Sequence, residues 1–459
     1  MYEVIIIGAG PGGYLLAERL GKIHKTAIIE KDKFGGTCLN VGCIPSKAIL
    51  YSKKVYNYVK HSSDYGIETN ENVFYNQEKV IEKKDKKVNT LVSGVEYKVK
   101  SNNVDIFKGT GYVLGKENNL FKVKVNDQVI TGKKLIIATG STSAIPPIKN
   151  LKEKLANKDP NILTNIEVLS LKELPKKIVI IGAGIIGLEM ASYFEGLSEV
   201  VVVDFLPNIA STMDQELAQI LYKYLIKKNI TFKLDSQVLE VQDDYITIKN
   251  SKTNVEEKIN FDKLLIATGR IPNTQNMGFE NIGLAFNRLA IEVDDKLQTN
   301  IPNVYCIGDA NGKLMLAHTA YRHADVVYHR LIGKTYDKVD YNTIPGVIYT
   351  TPEMASVGKT EEQLKKDNYD YQVLKLPLIY SGRFLVEVDD YQGLIKMLVD
   401  KKNKQILGIH IIGQYASEII SIGTLIIAKK LSLNLLQDVV FPHPSVAELF
   451  KDLIMLGVK

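Results

Sequence analysis

Short apolar runs recur along this chain, each stopping at a glycine or an acidic residue, with segments of helical period between them. Val4-Ile5-Ile6-Ile7 runs into Gly8-Ala9-Gly10-Pro11-Gly12-Gly13 and a helical pattern through Leu20; the next run, Thr26 to Ile29, stops at Glu30. The order returns at Ile178-Val179-Ile180-Ile181, Gly182-Ala183-Gly184-Ile185-Ile186-Gly187 and Val200 to Val203, which stops at Asp204. Runs that are apolar at every position suit strands covered on both faces, as in parallel sheets backed by helices. Two further runs, Leu135 to Gly140 and Leu264 to Gly269, both close in Ala-Thr-Gly. Ser46 to Lys60 reads as a helix with apolar Ile49, Leu50, Val55, Tyr56 and Val59. Val80, Ile81, Val88, Leu91, Val92 and Val95 mark another, in which Lys83-Lys84-Asp85-Lys86-Lys87 is expected to form a solvated face. Ile406 to Ala428 is the most apolar stretch, yet it holds His410, Gln414 and Glu418, so it reads as a core strand and a helix rather than a membrane span. The pattern predicts an α/β chain with two Rossmann-like units, followed by strands and helices without a nucleotide motif.

Both glycine runs have the context that gives such a motif meaning: strand before, helix after, and an acidic residue at the end of the next strand. The glycines permit a tight turn and close approach of backbone to a pyrophosphate, the helix N-terminus faces the phosphates, and Glu30 or Asp204 accepts ribose hydroxyls. Glycine turns that merely pack helix on sheet would not require that acid twice. At the second site a 2′-phosphate beside Asp204 would be repelled by about 4 kcal/mol per charge pair at 4 Å and an effective dielectric near 20. Phe205 to Met213 contains no Arg or Lys to reverse this, so NAD rather than NADP is expected.

Cys38 and Cys43 lie in Gly35-Gly36-Thr37-Cys38-Leu39-Asn40-Val41-Gly42-Cys43-Ile44-Pro45-Ser46-Lys47, just after the first fingerprint. Fully extended, that spacing would span roughly 16 Å, whereas a disulfide needs Cα atoms about 4.4 to 6.8 Å apart. The segment must therefore fold back, a turn that Gly42 eases. Pro45 suits a first helical turn, which places Cys43 at a helix N-terminus, where a thiolate is favoured over a thiol. As a staple so small a loop would contribute only about 2 kcal/mol on chain-entropy grounds, which favours a redox role. A dithiol that exchanges electrons with a nicotinamide needs an intermediary that accepts hydride and reacts with thiolate, so one nucleotide site should hold a flavin. Cys306 has no sequence-near partner and reads as a buried strand residue.

Composition narrows the rest. With 45% hydrophobic and 24% charged residues, the 459 residues are those of a globular protein with room for about three domains. The net charge of +6 comes from scattered lysines, not a basic stripe with interleaved aromatics, so nucleic-acid binding is not expected. Three cysteines and no visible export signal argue against a disulfide-stapled secreted protein, and a cytoplasmic location is expected. No metal-ligand cluster is expected.

These motifs, with Tyr305-Cys306-Ile307-Gly308-Asp309, Met315-Leu316-Ala317-His318, Val347-Ile348-Tyr349-Thr350-Thr351-Pro352-Glu353 and Phe441-Pro442-His443-Pro444-Ser445-Val446-Ala447-Glu448, make the whole chain resemble the flavoprotein disulfide reductases. The nearest likeness is to the branch that oxidises dihydrolipoyl groups. The resemblance implies an FAD domain at 1–144 and 264–335, an NAD domain at 145–263, and a C-terminal α+β dimerisation domain at 336–459. It further implies that Gly8, Gly10, Pro11, Gly12, Gly13, Glu30, Gly36, Thr37, Cys38, Lys47, Gly111, Thr139, Gly140, Ser141, Asp309 and Met315 to His318 (Leu316 and Ala317 between them) line the FAD. Gly182, Gly184, Ile185, Ile186, Gly187, Asp204, Val238 and Gly269 would line the NAD. Lys47 and Glu189 would form an ion pair near the flavin. His443, held between two prolines and oriented by Glu448, would act as acid–base catalyst on the partner subunit's disulfide. The residues themselves leave another reading of Glu448, since Ser445-Val446-Ala447-Glu448 is also a capping-box pattern.

The implied partners are a second copy of the chain and the lipoyl-bearing domain of a 2-oxo acid dehydrogenase, acetoin or glycine cleavage complex. The alternatives are another NAD(P)H-dependent disulfide reductase, of glutathione or mercuric type, and a catalytically silent flavoprotein sensor or scaffold. This chain departs from the family pattern in carrying Asp204 where glutamate is more usual. It also carries Phe441 and Ala447 around the histidine, and Tyr321-Arg322-His323 where the family is more acidic.

Overall fold

The computed structural model describes residues 1–69, 72–334 and 338–458. The 335/336 domain boundary suggested by the resemblance lies outside the described residues. The chain divides into two compact units: Met1–Ala144, Asn165–Glu173 and Gly269–Val339 form the first, and Ile145–Thr164, Leu174–Thr268 and Asp340–Lys459 the second.

In the first unit the strands Val104–Lys108, Thr26–Glu30, Tyr2–Ile7, Gln128–Ile137, Leu120–Val125 and Gly111–Glu117 lie side by side, and Val304–Cys306 joins Gln128–Ile137. Tyr2–Ile7 pairs in parallel with both neighbours, Ile7 opposite Ile29 and Ile137. Successive side chains point to opposite faces of a strand. Ile5, Ile7, Ala27 and Ile29 therefore pack with Leu135, Ile137, Val304 and Cys306 on one face, while Val4, Ile6, Ile28 and Ile136 are equally buried. Burial on both faces explains the unbroken apolar runs, each fully covered Ile or Val contributing about 1.5–3 kcal/mol. Cys306 is free and fully buried, and burial pushes its thiol well above the ordinary range.

The second unit repeats the design with Thr231–Lys233, Glu199–Val203, Lys177–Ile181, Lys263–Ile266 and Ile162–Leu163, all in parallel. It also holds a separate antiparallel sheet of Gly346–Ile348, Met354–Gly358, Ile406–Ile412, Leu394–Asp400 and Tyr371–Pro377. The stretch Ile406 to Ala428 resolves into the strand Ile406–Ile412 and the helix Ala416–Ala428, with Ile409, Ile411, Ile420 and Ile427 in that core. Among the described residues no helix is long and apolar enough to cross a membrane.

Two readings of the pattern need correction. The runs ending in Ala-Thr-Gly leave their sheets at Ile137 and Ile266, so the Thr-Gly pair lies beyond each strand end. In the helix Gln77–Ser101 the basic cluster is not wholly solvated: Lys84 is buried and pairs with Asp85 at 2.5 Å, while Leu91 is exposed. Ile81, Lys84 and Val88 share one helical face, so position on the face overrode the charge of the run.

Candidate active site

Cys38 and Cys43 are joined in a disulfide with Cα atoms 4.6 Å apart. The segment between them does more than turn. Gly36–Val41 is a short helix carrying Cys38, and Cys43 opens the helix Cys43–Lys60. Asn40 Nδ2 donates to the Phe34 and Gly36 carbonyls, Asn165 Nδ2 donates to the Val41 carbonyl at 2.6 Å, and Ser46 N–H donates to Gly42 O. Gly42 carries the reversal, since a Cβ there would press on Thr37 O. Cys43 therefore sits at a helix N-terminus, an environment that favours its thiolate once the disulfide opens. Lys47 follows one turn along the helix, its Nζ 3.4 Å from Ser46 Oγ.

The crevice at the first glycine fingerprint is built by close approach. Gly8 has φ +105, and a Cβ on it would strike the Ala138 carbonyl, whereas a Cβ on Gly10 would meet nothing within 4 Å. That open ledge precedes the helix Pro11–Leu20, whose first turn contains Gly12 and Gly13. Glu30 Oε2 accepts the Ala9 N–H at 2.7 Å and Oε1 the Asp32 N–H at 2.9 Å, fixing the carboxylate beside the turn. Gly111 lies against Ile7 and Ile29. Thr139 Oγ1 is buried and meets no hydrogen-bond partner in the described structure, and Gly140 takes φ +71 into open space. Ser141 Oγ donates to Asp309 Oδ2 at 2.5 Å, and Met315 and Leu316 lead into the helix Ala317–Leu331, with Ala317 and His318 at its start. An open ledge at a helix N-terminus, a fixed carboxylate and an orphaned hydroxyl fit a dinucleotide.

The second unit has the matching parts. Gly182 at φ +113 abuts Ala267 O, Gly184 faces open space, and the helix Ile185–Phe194 follows, with Ile186 and Gly187 in its first turn. Asp204 Oδ2 accepts the Ala183 N–H at 2.6 Å and Oδ1 the Leu206 N–H at 2.8 Å. Val238 is buried in the core with Val203 and Val241. Glu189 is buried and its Oε1 accepts the Tyr349 N–H at 3.1 Å. Glu189 thus belongs to the second unit, whereas Lys47 and Gly269 belong to the first.

His443, whose side chain is 79% exposed, places Nδ1 2.7 Å from Glu448 Oε2. Ser445 Oγ accepts the Glu448 N–H at 3.2 Å. The cap pattern and the histidine partnership therefore coexist: the backbone of Glu448 takes the cap, and its side chain turns to His443 instead of completing the box. Phe441 stacks on Phe450 at 6.2 Å between ring centres, which ties the histidine segment to its own terminal helix.

Arg270 escaped the sequence reading. It directly follows the second Ala-Thr-Gly, which was the available signal. Its Nε donates to Ser141 Oγ at 2.7 Å, and Nη2 donates to Ser141 O at 2.7 Å and Thr37 Oγ1 at 3.4 Å. Burial lowers its pKa while Asp309 pulls it back up. A polar chain thus runs from Asp309 through Ser141 and Arg270 to the residue beside Cys38.

Comparison with known proteins agrees with this geometry. Residues 2–324 match the pyridine nucleotide-disulphide oxidoreductase family, and residues 344–454 match the dimerisation domain of the same family. The chain is 38% identical to a mitochondrial dihydrolipoyl dehydrogenase of Pisum sativum over 99% of its own length and 91% of that protein's. It is 37% identical to the dihydrolipoyl dehydrogenase of Cupriavidus necator, covering 98% and 97%. Among solved structures it resembles the HOCl-induced flavoprotein disulfide reductase RclA of Escherichia coli, with a TM-score of 0.86, 28% identity and 99% coverage of each chain. Its C-terminal match supports a homodimer. The chain belongs to the pyridine nucleotide-disulphide oxidoreductases, enzymes that use FAD, NAD(P) and a redox-active disulfide, here Cys38–Cys43.

Proposed function

We propose that this enzyme oxidises dihydrolipoyl groups to lipoyl disulfide and reduces NAD⁺, as a dihydrolipoyl dehydrogenase. The observation that carries the reading is the Cys38–Cys43 disulfide at the mouth of the helix Cys43–Lys60, joined to full-length likeness to dihydrolipoyl dehydrogenases. His443 of one copy takes the proton from a dihydrolipoyl thiol, and Glu448 holds Nδ1 so that Nε2 presents its lone pair. The thiolate attacks Cys38 Sγ, the Cys38–Cys43 bond breaks, and the electron pair stays on Cys43, where the helix terminus stabilises it. The second substrate thiolate attacks the substrate sulfur of the mixed disulfide, so lipoyl disulfide leaves and Cys38 is freed as thiolate. Bound FAD supplies the two-electron link between the reduced cysteine pair and the nicotinamide. Glu30, Asp309 and the ledge at Gly10 would hold it, Asp204 and the ledge at Gly184 the NAD. The fixed Asp204 carboxylate supports NAD over NADP. The proposed partner is a lipoyl-bearing domain of a 2-oxo acid dehydrogenase, acetoin or glycine cleavage complex.

The likeness to RclA favours a second reading, in which the same pair runs from nicotinamide toward a different disulfide. Turnover of the purified protein with NADH or NADPH against lipoamide and glutathione disulfide separates the two. NADH with lipoamide is the expected pairing; turnover confined to another disulfide would overturn the proposal.

A further inference from the structure

His323 lies on the helix Ala317–Leu331 and is fully buried. Its Nδ1 accepts the Gly308 N–H at 3.0 Å and lies 3.5 Å from Asn311 Nδ2. An N–H aimed at Nδ1 requires the lone pair there, so the ring is neutral and carries its proton on Nε2. Gly308 opens the single turn Gly308–Asn311 with φ +67, and the next residue is Asp309, whose carboxylate accepts from Ser141. Asn311 Nδ2 also donates to Cys306 O, anchoring the far end of the turn to the sheet. A leucine at 323 would fill the same space but would leave the Gly308 N–H without its acceptor.

We propose that His323 is a positioning residue: by accepting the Gly308 N–H it fixes the turn that presents Asp309 to the flavin, and protonation of its ring releases that turn. The inference rests on the role for Asp309 proposed above. The charged groups around it act one way. Burial and then Arg322, on the same helix, push the imidazolium down to about 4. On the helix Pro11–Leu20 opposite, Arg19 is committed to Asp325 at 2.5 Å, and the Tyr14 hydroxyl to Tyr321 at 2.5 Å. Asp309 itself accepts from Ser141 Oγ, which in turn accepts from Arg270 Nε. A histidine with an ordinary pKa near 6.5 once the turn is released, and about 4 while it is held, makes flavin binding weaken as pH falls between those values.

The test is FAD release from the purified holoprotein, read by the rise in free-flavin fluorescence between about pH 8 and pH 5, with far-UV circular dichroism confirming that the chain stays folded. Wild type should lose flavin affinity by up to about tenfold per pH unit below 6.5. His323→Asn keeps an acceptor in the place of Nδ1 and does not titrate, so its profile should be flat over that range. His323→Leu should bind FAD more weakly than wild type at neutral pH. A wild-type pH profile in His323→Asn, or wild-type affinity in His323→Leu at neutral pH, would overturn the proposal. Lipoamide turnover is followed separately with FAD in excess, so failure of the proposed substrate leaves the flavin profile as the judge of His323.

Discussion

At the scale of single residues, function concentrates in groups whose partners decide what they can do. His443 is exposed yet oriented, because Glu448 fixes Nδ1 and leaves the other nitrogen outward. His443→Gln removes the proposed proton acceptor and leaves both glycine fingerprints unchanged. It is expected to cut lipoamide turnover by about 10² to 10⁴ while stopped-flow reduction of the flavin by NADH stays near wild type. Equal loss in both half-reactions would remove His443 from this role. The places of the glycine turns, of Glu30 and Asp204 beside them and of the cysteine pair were legible because they depend on order along the chain. Arg270 was not, and the run Tyr321-Arg322-His323 stood out only as a departure from the family pattern, because the partners of Arg270 and His323, namely Ser141, Thr37 and Gly308, are brought to them only by the fold. Phe205 offers a direct probe of the second crevice. It follows Asp204, is 70% exposed, and the chain contains no tryptophan. Phe205→Trp should therefore report NADH binding as quenching of its lone indole emission, with NADPH at the same concentration quenching far less. Equal quenching by both would contradict the proposed role of Asp204 as a barrier to the 2′-phosphate.

At the scale of elements, the parallel strands were plain from their apolar runs, whereas buried charge was invisible to pattern. Lys396 lies in the strand Leu394–Asp400, fully buried, with Asp214 at 3.0 Å, Glu216 at 3.1 Å and Glu361 at 2.6 Å. Asp214 also caps the helix Gln215–Lys227, so the cluster ties that helix to the antiparallel sheet of the second unit. A lysine inside an otherwise apolar strand reads from sequence as a solvated edge. Only the carboxylates brought from two other segments make it tolerable. Lys396→Met would leave the buried Asp214 without its cation, while Glu216 keeps Lys375 and Glu361 keeps Lys365, and should destabilise the protein by about 3–5 kcal/mol, seen as a lower urea midpoint. Acid should attack the same cluster. Burial alone would raise the pKa of Glu361, but hydrogen bonds from Lys365 and Lys396 outweigh it and hold the carboxyl at about 2. Its folded-state pKa lies below the ordinary 4.5, so its contribution is complete above pH 4.5 and is lost as pH falls toward 2. Glu361→Gln should flatten that part of the urea-midpoint profile, and a profile as steep as wild type would place the acid sensitivity elsewhere.

At the scale of the whole molecule, the disulfide lies in the first unit and the exposed His443–Glu448 pair in the second, while residues 344–454 match a dimerisation domain. The proposed chemistry requires the histidine of one copy to serve the cysteines of the other, and that requirement can be tested without knowing the interface. Cys43→Ser chains keep His443 but cannot complete the redox cycle, and His443→Gln chains keep the disulfide but lack the proton acceptor. Each homodimer should be nearly inactive toward lipoamide. In a two-fold heterodimer one of the two sites would combine an intact disulfide with an intact histidine, and the other would lack both. After random subunit exchange of equal amounts, half the dimers are mixed and each has one working site, so activity should recover to about a quarter of wild type. If each chain instead used its own histidine, neither site of the mixed dimer would be whole and no activity would return. Recovery therefore separates a site shared between copies from one contained in a single chain, whichever disulfide proves to be the physiological substrate.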